Sequence, residues 1–263
     1  MSSLSYSIAD SATMLRRNLL HQLRYPSITV LLIGMPLMFL LLFVYVFGGT
    51  LGAGLGGASG GRAEYVNYVV PGILMMAIAS AAQGTAIGVA MDMTEGIIAR
   101  FRTMAISRAS VLTGHVLGTL IQTMLSLAVI TGIALLIGFR PTATPIEWLA
   151  LVGVFAMISL ALTWLCVALG LIAKTVESSS NLPMPLVLLP FLGSGFVPTD
   201  SLPVGIRWFA EYQPFTPIIE TLRGLLLGTP IGDSGLLAVL WCAALTVLGY
   251  LLARARYNRD PSR

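Results

Sequence analysis

Six stretches of this 263-residue chain contain no Asp, Glu, Lys or Arg. They lie between Arg24 and Arg62, Glu64 and Asp92, Arg108 and Arg140, Glu147 and Lys174, Glu177 and Asp200, and Asp233 and Arg254. Each holds at least 20 residues. A helix needs about that many to cross ~30 Å of hydrocarbon, where the backbone must satisfy its own hydrogen bonds. The gaps therefore predict an all-α integral membrane fold with six transmembrane helices. Composition agrees, because 56% hydrophobic and 10% charged residues are too few charges to cover a soluble surface, where roughly a quarter is usual. A chain of this length is filled by one membrane domain, without a separate soluble enzyme.

Basic residues set the orientation. One side collects Arg16, Arg17, Arg24, Arg100, Arg102, Arg108, Lys174, Arg254, Arg256, Arg259 and Arg263, and the other only Arg62, Arg140, Arg207 and Arg223. Eleven against four makes the first side cytoplasmic and both termini internal. The net charge of +4 sits at membrane edges, which points to anionic lipid and away from nucleic acid as the partner. Cys166 and Cys242 lie within spans and fit no disulfide or zinc pattern. A cleavable signal peptide is not expected, since the chain is polar and basic for too long before Pro26. Fourteen arginines against one lysine is the bias of a high-GC bacterial genome, so the expected location is a bacterial plasma membrane.

Along the chain, residues 1–26 form an expected amphipathic interface helix. Leu4, Ile8, Ala12, Leu15, Leu19 and Leu23 recur at spacings of three and four, with Arg16, Arg17 and Arg24 largely off that stripe. Residues 27–263 make the transmembrane domain. Span one runs from Ser27 to Phe47, kinked at Pro36, and a glycine-rich external loop follows from Gly48 to Gly61. Spans two, three, four and six are placed at Val69–Met91, Val111–Gly138, Trp148–Ala173 and Leu236–Ala253. Span five, Asn181–Val197, contains Pro183, Pro185, Pro190, Gly193 and Gly195 and should be bent or broken. The stretch Pro198–Gly228 is too polar to cross and too apolar for an ordinary loop. A helical hairpin dipping into the outer leaflet satisfies both.

Between spans two and three, residues 93–108 read as a short amphipathic helix. Ile97, Phe101 and Met104 share one face, and Arg100 and Arg102 point elsewhere. As a bland reading this is a topological anchor. As a sharper one it docks a soluble partner, because arginine and aromatic anchors suit interfaces. Glu95-Gly96, Arg100-Phe101-Arg102-Thr103-Met104 and Ile106-Ser107-Arg108 resemble the loop of ABC-2-type permeases, nearest to the daunorubicin-resistance branch of drug exporters. A second block is similar to the same family: Phe196-Val197-Pro198, Ser201-Leu202-Pro203, Gln213-Pro214-Phe215-Thr216-Pro217 and Glu220-Thr221-Leu222-Arg223. Family members often carry proline where Ala105 stands.

The resemblance implies a type V exporter built from two permease chains, as a homodimer, and two ATP-binding subunits. It makes residues 93–108 a coupling helix, with Glu95, Gly96, Arg100, Phe101 and Arg102 as contacts to the ATPase. Residues 198–228 become extracellular re-entrant helices, and spans one and five the permease contact. ATP and Mg²⁺ would belong to the partner, and this chain would bind no cofactor. The sequence itself has no G-x-x-x-x-G-K-[ST], its only lysine being Lys174 after Leu171-Ile172-Ala173. The chain is therefore expected to be a transporter subunit without catalytic or metal-binding residues of its own.

Other residues have quieter readings. Glu220 and Arg223, at i and i+3 in apolar surroundings, read as a structural clamp. Asp92 reads as a cap for the following helix, and His21 and His115 as surface residues. Phe39, Phe43, Tyr45 and Trp164 are the candidate cargo path for an amphipathic drug-like or lipid-like molecule, although lipid-facing or packing roles suit them too. A polysaccharide or glycolipid exporter is the alternative. Gly193-Ser194-Gly195 admits an intramembrane serine hydrolase, disfavoured because no histidine lies deep inside a span, His115 being near the cytoplasmic interface. An ion-driven transporter would usually place ionisable groups at mid-membrane, and these spans have none.

Overall fold

The structure, a computed structural model, describes residues 3–24, 26–56, 61–95 and 108–257. Among these every regular element is a helix. The helices are α1 (Ser3–Arg24), α2 (Pro26–Leu41), α3 (Gly48–Gly56), α4 (Arg62–Thr94), α5 (Arg108–Ile137), α6 (Pro145–Ile172), α7 (Val176–Asn181), α8 (Met184–Leu188), α9 (Val204–Tyr212), α10 (Phe215–Leu227) and α11 (Ser234–Tyr257). A π-helical segment, Leu42–Phe47, joins α2 to α3, and 3₁₀ turns occupy Leu189–Leu192 and Thr199–Ser201. Among the described residues, five helical stretches are long and apolar enough to cross a membrane: Val30–Gly54, Arg62–Thr94, Leu112–Ile137, Pro145–Ile172 and Ser234–Tyr257.

The hub is α4. Its most apolar stretch is 72% buried, against 17% for the first of the five and 22% for the last. Helices α2, α3, α5, α6, α7, α8 and α10 all pack on α4, while α11 packs on α6 and α1 on α5. Small residues allow the closest approaches. A Cβ on Gly72 would overlap the carbonyl of Gly195, one on Gly170 would meet the backbone of Ala86, and one on Gly249 the backbone of Leu165. Lipid tails are as apolar as leucine, so close packing of this kind, and not water exclusion, holds such helices together.

Local chemistry sets several boundaries. Thr144 caps α6, its hydroxyl accepting from the Glu147 backbone N–H while Glu147 Oε2 accepts from the Thr144 N–H at 2.6 Å. Pro145 follows at the first helical position, and a reciprocal cap of this type contributes about 1 kcal/mol. Helix α10 ends on Gly228, whose φ of 69° is the left-handed conformation that glycine adopts without a Cβ penalty.

Three sequence expectations change here. The stretch after span one is not an open loop as far as Gly56: α3 continues the helix through Gly48–Gly56 and packs on α4. Glycine costs helix stability, but a Cβ on Gly52 would overlap the Gly61 carbonyl, so its absence lets α3 close on the start of α4. Helix α2 runs through Pro36, and the irregularity comes later, at Leu42–Phe47. Helix α4 outruns Val69–Met91 at both ends, because Arg62, Glu64 and Asp92 are helical though charged.

The fifth expected span is no single helix. It consists of α7, α8 and the Leu189–Leu192 turn, followed by non-helical backbone through Gly193–Pro198. These pieces run antiparallel along α4. Gln83 Nε2 donates to the Ser180 carbonyl at 2.7 Å, Gly72 meets Gly195, and the Tyr65 hydroxyl donates to the Phe196 carbonyl at 3.2 Å. From Gln83 to Gly72, α4 rises about 16 Å at 1.5 Å per residue. Beyond them, α9 and α10 fold back on each other. Gln213, at their junction, donates from Nε2 to the Leu189 carbonyl at 3.1 Å, and the far end of α10 meets the α5–α6 connection, where Thr142 N–H donates to Leu226 O at 2.9 Å.

Candidate functional site

Two buried polar clusters stand at opposite ends of α4. At one end Arg223 of α10 joins three parts of the chain. Its Nη1 donates to Glu220 Oε1 at 2.6 Å, and its Nη2 donates to the Ser194 carbonyl at 2.6 Å and the Tyr68 carbonyl at 3.3 Å. The Arg223 side chain is 9% exposed and that of Glu220 36%. The pair thus forms one corner of a cluster tying α10 to α4 and to the Gly193–Gly195 turn. A cleft of ≈ 310 Å³ opens beside it, lined by Tyr68, Ser194, Pro198, Asp200, Glu220 and Thr229 among others. Outside the cleft Arg207 bridges Asp200 at 2.6 Å and Glu211 at 2.7 Å. The Glu211 hydrogen bond, followed by the charges of Asp200 and Glu211, raises the Arg207 pKa above its ordinary value.

At the other end Asp92 is the centre. Its Oδ1 accepts from Arg17 Nη2 at 3.0 Å and its Oδ2 from Arg17 Nη1 at 3.3 Å, a two-pronged contact with α1. Oδ2 also lies 3.0 Å from His115 Nε2 on α5. Asp92 and His115 are both buried. The Asp92 carboxylate serves α1 and α5, which the capping reading did not foresee, and His115 is not a surface residue. A buried carboxylate needs such partners, because an unpaired charge there is costly. The His21 side chain lies outside the described residues. Sequence reading missed this cluster, yet an acid and a histidine at the adjacent ends of neighbouring spans were a usable signal.

The two clusters are separated by the 24 residues from Tyr68 to Asp92, about 36 Å along α4. A hydrocarbon layer of ~30 Å fits between them. The same separation removes the hydrolase reading, because Ser194 sits at the Tyr68 end and His115 at the Asp92 end.

Of the expected docking residues, Glu95 is described. It is exposed and closes α4, its N–H donating to Met91 O at 2.9 Å. Gly96, Arg100, Phe101 and Arg102 lie outside the described residues. The candidate cargo residues fall in different places. Phe39 and Phe43 join Phe191 and Phe196, with Phe43–Phe196 centroids 4.8 Å apart and Phe191–Phe196 stacked at 4.3 Å. Tyr45 is 53% exposed beneath the Arg62 guanidinium. Trp164 packs edge-on against Tyr250 of α11, beside a separate apolar cluster that includes Val89, Leu112 and Tyr257.

An α-helical membrane frame with a paired, buried charge cluster at each end narrows the choice of family, and comparison with known proteins decides it. The sequence profile of the ABC-2 type transporter family matches residues 11–227. The chain belongs to this family. This permease is 26% identical over 257 residues to the daunorubicin resistance ABC transporter permease protein DrrB1 of Streptomyces coeruleorubidus, covering 97% of the chain and 88% of the relative. It is also 25% identical over 191 residues to the probable doxorubicin resistance ABC transporter permease protein DrrC of Mycobacterium tuberculosis, covering 73% of the chain and 69% of that relative. It is therefore a multi-pass membrane subunit of an ABC transporter, and permeases of this kind work with an ATP-binding subunit.

Proposed function

We propose that this permease forms the membrane path of an exporter that moves an amphipathic, drug-like molecule out of a bacterial cell, driven by ATP hydrolysed on a separate subunit. The observation that carries the reading is that both relatives, aligned over most of the chain, are permeases of anthracycline-resistance transporters. The absence of a phosphate-binding loop from the sequence supports the division of labour. ATP and Mg²⁺ belong to the partner, which docks on the loop between α4 and α5 through Glu95, Gly96, Arg100, Phe101 and Arg102. The working unit is two permease chains with two ATP-binding subunits.

The topology is six crossings with both ends inside. Five are the long helices, and α7, α8 and the Leu189–Leu192 turn make the sixth, supported by their antiparallel course along α4. The distribution of basic residues supports the orientation. Arg17 lies at the Asp92 end, and Arg62, Arg140, Arg207 and Arg223 lie at the Tyr68 end, where Arg140 N–H donates to Asn67 Oδ1. Helices α9 and α10 form a re-entrant hairpin. Its turn at Gln213 meets Leu189, its exit meets Thr142, and Thr216 lies about 10 Å further along α10 from Arg223.

The test is uptake of doxorubicin into inverted membrane vesicles that contain this permease and its ATP-binding subunit. ATP-dependent accumulation that disappears when either chain is omitted is the expected result. Vesicles with both chains intact and ATP hydrolysis under way, but without accumulation, would overturn the cargo assignment.

A further inference from the structure

We propose that Asp92 is a positioning residue that fastens the N-terminal helix to both sides of the partner-docking loop, so that the ATPase stroke moves α1 together with α4 and α5. The proposal rests on the division of labour given above, but its argument is geometric. The loop begins where α4 ends, at Thr94, and ends where α5 begins, at Arg108. Asp92 is two residues from the first boundary and His115 two helical turns past the second. One carboxylate therefore holds both flanks of the loop, through the 3.0 Å contact to His115, and reaches α1 through both nitrogens of Arg17.

A second feature fastens α1 at the same place. Gly114 and Gly118, four residues apart on α5, leave notches in which a Cβ would crowd Met14 and Asn18 of α1. The contacts fall in register, Met14 against Gly114 and Asn18 against Gly118, with Arg17 between them. Notch and ion pair together determine both how near α1 lies and where along α5 it sits. Below the cluster, Val89, Leu112, Val116, Val167, Ala253 and Tyr257 bring α4, α5, α6 and α11 into one apolar cluster. A displacement of the loop is thereby shared by the bundle, and the charged contact carries it to α1 with a defined orientation, because a guanidinium fork on a carboxylate fixes direction as well as distance.

A merely structural Asp92 predicts lost protein; a positioning Asp92 predicts protein that is present but uncoupled. Asp92→Asn keeps the shape and removes the charge. Arg17→Gln, on a half-exposed side chain, removes the partner with little risk to folding, and Arg17→Lys keeps the charge without the fork. Each is placed in the complete complex with the ATP-binding subunit, in vesicles. The first readout is doxorubicin moved per ATP hydrolysed, which Asp92→Asn and Arg17→Gln should each lower about fivefold or more, the size of an ordinary coupling energy. The double variant should be no worse than either single one, and Arg17→Lys should recover part of the loss.

The second readout needs no cargo. With Leu20→Cys on α1 as the accessible thiol, since Cys166 and Cys242 are buried, the maleimide labelling rate should change when ATP and vanadate are added. That change should vanish in Asp92→Asn. Persistence of the nucleotide-dependent change and of the transport ratio in both charge-removing variants overturns the proposal. Absence of doxorubicin uptake in the unaltered complex, with the labelling change present and Asp92-dependent, overturns only the cargo assignment. No labelling response in the unaltered complex while ATP is being hydrolysed overturns this proposal, whereas hydrolysis that persists without the ATP-binding subunit overturns the division of labour.

Discussion

The guanidinium carbon of Arg223 lies 4.1 Å from the centre of the Tyr68 ring, so one arginine both stacks on α4 and donates to two backbone carbonyls beside it. This gives α10 its fixed place against the hub. The Ser194 carbonyl, on non-helical backbone, takes a 2.6 Å hydrogen bond from this side chain, which makes Arg223 worth more than its ion pair with Glu220.

Unequal costs follow for the two members of that pair. Arg223→Ala should destabilise the permease by about 2–4 kcal/mol, since it takes the donor from the Ser194 carbonyl and the partner from Glu220 and empties a buried position between α4 and α10. Glu220→Gln should cost less than about 1.5 kcal/mol, because an amide oxygen still accepts from Nη1 and the carboxylate is already partly in water. Arg223→Lys should recover little, for want of the planar fork. Thermal unfolding in detergent measures the order, and equal losses for Arg223→Ala and Glu220→Gln would contradict it.

Glycine substitutions should separate packing from helix propensity. Gly72→Ala pushes a methyl into the Gly195 carbonyl, a backbone group that cannot swing aside, and should cost about 1–3 kcal/mol. Gly34→Ala on α2 meets nothing within 4 Å and should be neutral or stabilising by up to about 1 kcal/mol. Melting curves of the two purified variants decide this, and a Gly72→Ala protein as stable as the parent would show that the α4–Gly195 contact has room to relax.

In the loop between α4 and α5, Phe101→Ala or Arg100→Ala should lower cargo-stimulated ATP hydrolysis by the complex, while the ATP-binding subunit hydrolyses ATP alone as before. Truncating an interface anchor typically costs 2 kcal/mol or more, roughly a thirtyfold loss of affinity. Undiminished stimulation in both variants would remove this loop as the docking element.

Much of the fold is legible in charge alone. The gaps locate α4, α5, α6 and α11 because an ionised side chain in hydrocarbon is expensive, and they miss the ends because helices run on into water, as α4 does through Arg62 and Thr94. Proline density marks the region where α7, α8 and a 3₁₀ turn replace a single helix. The glycine run before Gly56 misleads, since composition shows the cost of each glycine but not the neighbour that fills its space. Local spacing likewise shows that Glu220 and Arg223 face each other, being i and i+3. Their partners Tyr68 and Ser194, like the Arg17–Asp92–His115 set, lie 23 to 155 residues apart in the chain, and pairings of that range have no periodic trace in one sequence.

The exposed side chains of the broken crossing bear on assembly. Met184, Leu188 and Leu192 are 50%, 48% and 46% exposed and recur every four residues, so they form one apolar ridge on a segment whose opposite side rests on α4. On α2 and the start of the π-helical segment, Leu31, Met35, Met38 and Leu42 make a second such stripe. Lipid alone could cover both, but a second permease chain related by a two-fold axis would bring one ridge near its own copy, as closed dimers do. A single cysteine replacing Leu188 should then cross-link to its counterpart under mild oxidation, giving a covalent dimer on a non-reducing gel. Cysteine at Leu136, 87% exposed on α5, serves as the control for random collision in the membrane, and the native Cys166 and Cys242 are buried and should remain silent. Equal dimer yields from the Leu188 and Leu136 variants would rule out the broken crossing as the contact between permease chains.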